Sequence, residues 1–377
     1  MKKGQTIGIV GGGQLGRMLT LSALPLGFKV IVVNSSANSP AAQVGAEEIV
    51  GDLYDQKALR ELAKRADYLT IEIEHLNTDV LEALAKQGKS VYPSPSTIKL
   101  IQDKLLQKQF LHKAGVPVAP FLEVTDEKSA SKALVTFGGK MIIKARQGGY
   151  DGRGNMVVKS KADIKKAFMQ FTNRQLYAEA IVPFTKELAV MVSRSVNGEV
   201  ATYPVVQTIH ERNICVEVLA PAPVSAAIRR KAEKIATQVA DLLGSAGTFG
   251  IEMFLTKTGK VLVNEIAPRV HNSGHYTMDA SRTSQFEQHI RAVTGLPLGD
   301  TSLVVPAAVM INILGERDGP TEISGIVEAL QIPGVSIHLY GKSPTKIDRK
   351  MGHITTTGKT VQQAKKRARE ARKKITI

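Results

Sequence analysis

Apolar residues in the N-terminal quarter of the chain come in short β-branched runs, and amphipathic stretches separate them. The runs at 5–10, 28–33, 68–73 and 90–92 predict buried strands. The stretches at 14–26, 58–66 and 79–87 have the spacing of helices with one apolar face. Strands that alternate with helices predict right-handed βαβ units and a parallel sheet.

The pattern changes after a helix predicted at 98–114, which Gly115 and Pro117 would end. Strands at 140–146 and 156–159 flank a glycine-rich loop. Hairpins are predicted for 187–195 with 199–206 and for 251–256 with 261–266, and long helices for 226–243 and 285–294. The fold class is therefore α/β followed by α+β, with predicted domains at 1–105, 106–296 and 297–377.

The composition limits the classes of partner that we expect for the chain. Lys and Arg total 50 against 34 acidic residues, and the net charge of +16 favours nucleic acid, a membrane surface or phosphorylated small molecules as partners. Cys215 is the only cysteine, which fits a reducing cytoplasm. No run approaches the ~20 apolar residues of a membrane span, so we expect a cytoplasmic protein without a membrane partner.

The turn GGGQLG at residues 11–16 has the G-x-G-x-x-G spacing of dinucleotide-binding loops. Such a site also needs an acidic residue at the end of the second strand, and Asn34 stands there. The absence of that acid favours a tight strand-to-helix turn over an NAD-dependent oxidoreductase. A turn of this kind can still hold a phosphate monoester.

The richest segment is KARQGGYDGRGN at residues 144–155. Glycines 148, 149, 152 and 154 allow backbone N–H groups to wrap phosphate oxygens, and Lys144 ends the preceding strand. Glycines alone would also fit a solvent-exposed hairpin. Tyr150, Asp151 and Arg153 between them favour a phosphate-cradling loop, although no Walker sequence follows.

The hairpin around Thr258 and Gly259 predicts a pair of carboxylates. If these are the two turn residues, 256 pairs with 261 and Glu252 lies opposite Glu265. Opposed like charges are destabilising, so we favour a bound Mg²⁺ over a slipped register or two solvent-facing side chains.

Further cations follow this pair along the chain. NEIAPRVHNSGH, at 264–275, brings Arg269, His271, Asn272 and His275 into one turn-rich segment, which favours an anion-orienting group. Lys342 and the run DRKMGH at 348–353 either hold a substrate phosphate or lie on a solvated surface. The C-terminal basic helix has an alanine face, and a docked solvated helix is favoured over nucleic-acid binding.

Taken in order, these segments resemble the ATP-grasp superfamily, and within it the ligases of purine biosynthesis that carboxylate aminoimidazole ribonucleotide. The motifs that carry the resemblance are GGGQLGRML, QDKLLQKQFL, GGYDGRGN, NEIAPRVHNSGH, SQFEQH and RKMGH. The resemblance implies an ATP-grasp fold with an N-terminal pre-ATP-grasp domain, a lid at 147–155 and a small C-terminal domain. It also implies a homodimer that uses ATP, Mg²⁺ and bicarbonate, with no nucleic-acid partner.

The resemblance also implies a role for individual positions. The residues implied to bind ATP are Lys104, Lys144, Gly149, Tyr150, Asp151, Gly152, Arg153, Gly154, Asn155, Glu179, Ala180, Ile181, Val182, Glu187, His210, Asn264 and Glu265. The residues implied to bind the ribonucleotide and bicarbonate are Gln14, Glu74, Tyr150, Arg153, Arg269, His271, Asn272, Lys342 and Arg349. Tyr150, Arg269 and His271 are implied to be catalytic, and Glu252 and Glu265 to be the Mg²⁺ ligands.

Two positions depart from the wider superfamily. Many ATP-grasp ligases carry E-x-N at the metal site, but this chain has Ala267 in the third position. Lys104 stands where some relatives have Arg, and it offers a point charge in place of a bidentate fork. The alternatives are another ATP-grasp carboxylate–amine ligase or, in a different class, a basic nucleic-acid-binding protein.

Overall fold

The computed structural model describes residues 4–149 and 154–377, and its N-terminal region is a five-stranded parallel sheet flanked by helices. The strands lie in the order β3-β2-β1-β4-β5. The elements are β1 (Thr6–Val10), α1 (Gln14–Ala23), β2 (Lys29–Asn34), β3 (Glu47–Val50), α2 (Gln56–Arg65), β4 (Tyr68–Ile71), α3 (Thr78–Lys86) and β5 (Ser90–Val91). The predicted parallel βαβ arrangement is confirmed.

The helix predicted at 98–114 is wrong, because two helices occupy this stretch: α4 (Pro95–Gln102) and α5 (Lys104–Lys113). Asp103 between them has an extended backbone, with φ −101° and ψ 103°. Its carboxylate accepts hydrogen bonds from the N–H groups of Leu105 and Leu106, and so caps α5. An acidic residue with strong capping propensity therefore outweighs the continuous helical pattern.

A small four-stranded antiparallel sheet follows, in the order β6-β9-β7-β8. Its elements are β6 (Phe121–Val124), α6 (Glu127–Thr136), β7 (Met141–Ala145), β8 (Asn155–Val158), α7 (Lys161–Gln170) and β9 (Leu176–Ala180). The two helices pack on one face of this sheet over a core that includes Ile143, Val158 and Phe171. β7 ends at Ala145 and β8 begins at Asn155, so the glycine-rich sequence falls between these two strands in the chain.

The remaining strands form one nine-stranded sheet in the order β15-β14-β10-β12-β13-β16-β18-β17, with β11 beside β10. The strands are β10 (Phe184–Arg194), β11 (Val200–Thr202), β12 (Val206–Glu211), β13 (Ile214–Ala220), β14 (Gly247–Thr256), β15 (Val261–Ala267), β16 (Ala307–Leu314), β17 (Val335–Leu339) and β18 (Lys350–Gly358). The helices are α8 (Ala226–Leu243), α9 (Thr277–Ala280), α10 (Gln285–Thr294), α11 (Ile326–Leu330) and α12 (Val361–Lys374). Because β13 pairs with β16, the sheet runs across the boundary predicted at 296/297.

The second strand of the first predicted hairpin is shorter than expected. The turn at Asn197-Gly198 is present, but β11 ends at Thr202 and β12 begins only at Val206. Pro204 lies between them and has no N–H to donate to a ladder, so the strand predicted at 199–206 is interrupted there.

The β14–β15 hairpin has the predicted Glu252–Glu265 pairing, but its turn and register differ from the prediction. Leu255 pairs with Val261, so the turn has one more residue than predicted, with Gly259 at φ +75°. The predicted pairing of 256 with 261 is therefore wrong. A bulge between Met253 and Glu252 then restores the register, leaving Asn264 as the extra residue, and Glu252 pairs with Glu265 as predicted.

The terminal basic helix docks by its alanine face, as predicted. Ala364, Ala368 and Ala371 are fully buried, and α12 packs against β16 and β18. Lys365 and Arg369 pair with Glu217, whose side chain is only 4% exposed. Within the described ranges, no helix has the length and hydropathy that a bilayer crossing requires.

Candidate active site

Two glutamates from adjacent strands face each other at the centre of the candidate site. Glu252 of β14 lies directly opposite Glu265 of β15. The ammonium group of Lys104, the first residue of α5, lies 2.5 Å from Glu265 Oε2. Imidazole Nε2 of His271 lies 3.4 Å from Glu252 Oε1.

The two carboxyl groups of this pair differ in the direction of their pKa shifts. Burial and the neighbouring charge of Glu265 raise the pKa of Glu252. Burial acts on Glu265 in the same direction, but Lys104 outweighs it and holds the pKa of Glu265 below its ordinary value. Two convergent carboxylates, of which Glu265 is paired with Lys104, are a donor set that a hard divalent cation such as Mg²⁺ fits. Glu252 and Glu265 are the residues that could hold it.

Lys144 lies in a buried ionic cluster. Its Nζ donates to Glu179 Oε1 at 3.1 Å, and Nζ of Lys108 lies 3.2 Å from the other oxygen, Glu179 Oε2. Pairing of Ile142 with Glu179 and of Lys144 with Tyr177 places Lys144 and Glu179 on one face of the small sheet. The charge of Lys144 also lowers the pKa of Glu265, so this cluster and the glutamate pair belong to one electrostatic unit.

Glu187 and His210 form a contact on the next strands of the large sheet. The carboxylate of Glu187, on β10, meets Nδ1 of His210, on β12. Burial lowers the pKa of His210, but the hydrogen bond and charge of Glu187 outweigh it and leave that pKa raised. The charge of the same histidine opposes the rise that burial and Glu265 cause in the pKa of Glu252, which places it within reach of the glutamate pair.

Arg269 joins the N-terminal region to the site. Its Nε and Nη2 donate to the two oxygens of Glu74, at 2.5 and 3.1 Å, in a bidentate pair. Glu74 lies in the segment after β4, and Arg269 follows β15. Burial would raise the pKa of Glu74, but Arg269 holds it below its ordinary value.

His271 is held as a neutral imidazole. Burial and the charge of Arg269 lower its pKa to about 3. Its Nδ1 lies 2.9 Å from Ser273 Oγ, and its backbone N–H donates to Gln285 Oε1 at 2.9 Å. A Cβ on Gly250 would lie 2.7 Å from His271 Cβ, so this strand position must be glycine for the histidine to fit.

The amide of Asn272 is paired inside the protein. Asn272 and Asn312 donate to each other's side-chain oxygens at 3.0 and 2.7 Å, and Asn312 also donates to the carbonyl of Cys215 at 2.8 Å. Asn312 is only 2% exposed and belongs to β16. The C-terminal part of the large sheet therefore fixes the segment that carries His271.

The N-terminal glycine turn binds a carboxylate of the protein itself. The N–H groups of Gly13 and Gly16 both donate to Glu72, which directly follows β4, at 2.5 Å each. A Cβ at Gly11 would lie 2.3 Å from Glu72 Cγ, and one at Gly13 would lie 2.6 Å from Glu72 Oε1. The anion at this helix N-terminus is therefore Glu72. Gln14, the first residue of α1, lies at the same end.

Lys342 and Arg349 lie in the segment between β17 and β18. Lys342 Nζ donates to the Lys350 carbonyl at 2.9 Å, and burial, with the charge of Arg349, lowers its pKa to about 7. Arg349 donates to the Pro344 carbonyl at 2.5 Å. Burial raises the pKa of Glu72, and the charge of Lys342 opposes that rise, so this segment lies against the glycine turn.

The root of the predicted lid is a close approach of two glycines. A Cβ on Gly149 would lie 3.2 Å from Gly154 Cα, and Asn155 pairs with Lys144 at the start of β8. Tyr150, Asp151, Gly152 and Arg153 lie outside the described residues. Ala180 ends β9, and Ile181 and Val182 form the half-buried connection to β10.

Sequence reasoning missed three buried groups that shape the site. Lys108 follows Lys104 by one helical turn, a spacing that would place both ammonium groups on one face of α5. Gln285, fully buried, donates to the carbonyl of His271 and to Nδ1 of His275. Asn312 stands in an otherwise apolar strand, where a lone amide signals a buried polar partner.

Three family models match the chain in succession. They are the ribonucleotide synthetase pre-ATP-grasp domain at residues 4–102, the ATP-grasp domain at 109–286 and the phosphoribosylaminoimidazole carboxylase C-terminal domain at 308–367.

Relatives of known name match over nearly the full chain. The N5-carboxyaminoimidazole ribonucleotide synthase of Bacillus subtilis is 42% identical over 93% of this chain and 91% of its own length. The phosphoribosylaminoimidazole carboxylase of Ogataea methanolica is 46% identical over 96% of this chain and 68% of its own. The chain therefore spans about two thirds of that fungal relative.

Solved structures have the same fold. The N5-carboxyaminoimidazole ribonucleotide synthetase of Thermotoga maritima superposes with a TM-score of 0.90 at 44% identity, over 99% of both chains. The synthase of Aspergillus clavatus, in complex with ADP and 5-aminoimidazole ribonucleotide, gives 0.91 at 38% identity, over 98% of both chains.

Proposed function

The chain belongs to the N5-carboxyaminoimidazole ribonucleotide synthase family of ATP-grasp enzymes, and on this premise we propose that it carboxylates 5-aminoimidazole ribonucleotide. It is a ligase that uses ATP and bicarbonate and forms ADP, phosphate and N5-carboxyaminoimidazole ribonucleotide in purine biosynthesis. The observation that carries this function is the convergence of Glu252, Glu265, Lys104, Arg269 and His271 in one cluster.

The ATP site lies between the small and large sheets in this proposal. Lys104 and Lys144 contact the phosphates, and the lid at 147–155 covers them. Glu187, with His210 behind it, holds the ribose, and the connection at 179–182 offers backbone groups to adenine. The buried contact with Glu179 supports the assignment of Lys144, because it fixes the side chain of a strand-end lysine.

Glu252 and Glu265 hold Mg²⁺ in this proposal, with Asn264 beside them on the bulge. When bound there, the ion supplies positive charge against the phosphate oxygens of ATP. Lys104, already paired with Glu265, adds a second positive charge on the same side.

Bicarbonate attacks the γ-phosphate of ATP and releases ADP, and the exocyclic amine then takes the carboxyl carbon of the resulting carboxyphosphate, or of the CO₂ it forms, as phosphate leaves. Arg269 orients the bicarbonate, because its contacts with Glu74 and Val270 use three of its five N–H donors and leave two without a partner in the part of the chain that the structure describes. His271 stays neutral at pH 7, so it orients by hydrogen bonding from its ring and does not act as a strong base. Tyr150 and Arg153 close over the reactants and keep water away.

The ribonucleotide phosphate is bound by Lys342 and Arg349, with Gln14 at the edge. Glu74 and Asn272 complete the substrate side by holding Arg269 and the segment of His271 in place. The position of Lys342 against the glycine turn supports this assignment, since it brings a cation to the end of the parallel sheet.

Three finer statements belong to the same proposal. The chain folds as domains 1–105, 106–296 and 297–377, works as a homodimer and resides in the cytoplasm. Limited proteolysis, sedimentation equilibrium and cell fractionation test them in turn. One plant relative is named as chloroplastic, so fractionation has a defined alternative outcome.

The function is tested by measuring ADP release with Mg-ATP, bicarbonate and 5-aminoimidazole ribonucleotide, and then omitting each in turn. We expect ADP and the carboxylated product to form in step, with full rate only when the aminoimidazole is present. ADP formed only with another amine acceptor would point to a different ATP-grasp ligase. Salt-dependent binding to random duplex DNA, lost without residues 360–377, would support the nucleic-acid alternative.

A further inference from the structure

Two histidines and an aspartate from β17, β18 and α9 lie close together, outside the cluster described as the candidate active site. His338 of β17 lies directly opposite His353 of β18, and their rings stack with centroids 4.6 Å apart. Nε2 of His338 lies 3.0 and 3.1 Å from the carboxylate oxygens of Asp279, on α9. One donor atom from each of the three lies within 4.8 Å of the other two.

His353 carries an unused donor atom inside this cluster. The residue is fully buried, and its Nδ1 lies 2.9 Å from the hydroxyl of Tyr340. Its Nε2 is buried and has no hydrogen-bond partner among residues 4–149 and 154–377. An unpaired buried nitrogen is costly in an interior, so this atom calls for a ligand.

We propose that Asp279, His338 and His353 form a binding site for a transition-metal ion of the Zn²⁺ class, separate from the Mg²⁺ site. Two imidazoles and one carboxylate are a donor set for zinc, whereas Mg²⁺ prefers oxygen ligands alone. Donor atoms around four-coordinate zinc stand about 3.3 Å apart. Asp279 and His338 already meet that spacing, and His353 lies at most about 1.5 Å beyond it.

The surroundings of the three residues suit metal binding. Tyr340 orients the ring of His353 from its other nitrogen, the arrangement that outer partners give to histidine ligands. The side chains of Asp279 and His338 are 16% and 27% exposed, which gives an ion a path of entry.

A metal at this site would fasten the C-terminal strands to the segment that follows His271. Asp279 belongs to the helix after that segment, whereas His338 and His353 flank the connection that carries Lys342 and Arg349. The ion would therefore be structural, and it would hold that connection in place against the rest of the site. This inference depends on the geometry of the three ligands and not on the proposed reaction.

The test is a Co²⁺ titration of the full chain, treated with chelator and kept in excess Mg²⁺. We expect one equivalent to give the visible absorption of four-coordinate Co²⁺, and Zn²⁺ to displace it and raise the melting temperature by several degrees. His338→Gln and Asp279→Asn should each weaken binding by more than the about 10- to 100-fold that the loss of an outer partner of a ligand costs. Both side chains are partly exposed, so these variants should fold where a change at buried His353 would not.

His112→Gln removes an exposed histidine, and Glu265→Gln removes a Mg²⁺ ligand of the proposed site; both should bind Co²⁺ as the wild type does. The absence of visible absorption in the wild type would overturn the proposal. Equal binding by wild type, His338→Gln and Asp279→Asn would also overturn it, since the ion would then lie elsewhere.

Discussion

The glycine turn at residues 11–16 and the carboxylate pair of Glu252 and Glu265 handle negative charge in opposite ways. At the turn, the N–H groups of Gly13 and Gly16 are already used by Glu72, so the protein supplies its own anion. At the pair, two carboxylates face each other, and Lys104 pairs with Glu265. A site for a charged ligand is thus indicated by groups that the fold leaves uncompensated, and not by a glycine pattern that the fold satisfies internally.

The largest expected effect is the loss of activity when one member of the Glu252–Glu265 pair is replaced. Glu265→Gln should reduce ADP formation by on the order of 10³-fold, because it removes a proposed Mg²⁺ ligand and the partner of Lys104. Single-turnover ADP release is the measurement. Glu287→Gln, which breaks a helical ion pair with Arg291, is the matched control and should retain activity. Near-wild-type ADP release from Glu265→Gln would refute the metal assignment.

The second prediction concerns Glu72 and stability. Glu72→Ala should lower the free energy of unfolding by about 3 kcal/mol, because two N–H groups at the start of α1 lose a charged acceptor. Denaturant melts measure this effect.

Glu48 provides a matched control for that loss. Its half-buried carboxylate accepts from the N–H groups of Asn38 and Ser39, and Glu48→Ala should cost about 1 kcal/mol. If the two variants are equally stable, Glu72 does not have the special role at the turn that its geometry indicates.

The sequence predicted the elements well where local signals agreed with the fold. The parallel sheet, α8 and α10 follow from apolar periodicity and clear end signals, such as Ser225 and Gly244 around α8. The break at Asp103 was missed because capping and periodicity compete there, and periodicity alone predicts one helix.

The site could be predicted only in part, because pairwise contacts between distant segments decide it. The opposition of Glu252 and Glu265 was predicted from a two-residue turn, yet it depends on a longer turn and a compensating bulge at Asn264. The contact between Glu72 and the glycine turn joins residues that are far apart in the chain. Residue types and spacing identified the acidic and basic groups, but their partners required the tertiary structure.

The third prediction tests the link between the two regions. His289 accepts a hydrogen bond from the Thr248 N–H at Nδ1, 3.0 Å away, and its Nε2 lies 2.7 Å from Thr70 Oγ1. Thr70 lies on β4, which ends next to Glu72, and Thr248 lies on β14, which carries Glu252. His289 therefore joins the strand beside the glycine turn to the strand of the carboxylate pair.

This link should be sensitive to acid. Burial lowers the pKa of His289 from 6.5 to about 4. The neutral histidine therefore contributes fully to the stability of the folded protein above pH 6.5, and this contribution is lost as the pH falls towards 4, because the unfolded chain binds the proton first. At pH 5 the loss is about 2 kcal/mol. Between pH 7.5 and pH 5, the unfolding free energy of the wild type should fall by about 2 kcal/mol more than that of His289→Gln. Parallel pH profiles would show that His289 is not the titrating group.

The smallest expected effect concerns Asn312 of β16 and tests whether this strand positions the segment that carries His271. Asn312→Leu should cost about 1–2 kcal/mol, because the buried amide of Asn272 loses its reciprocal partner. Since Asn272 adjoins His271, kcat should fall more than the KM for ATP rises. Asn312→Asp would place a buried carboxylate oxygen against the acceptor oxygens of Asn272 and Cys215, so it should cost more stability than Asn312→Leu. If Asn312→Leu loses stability with kcat unchanged, the amide pair supports the sheet and does not position the segment that holds His271.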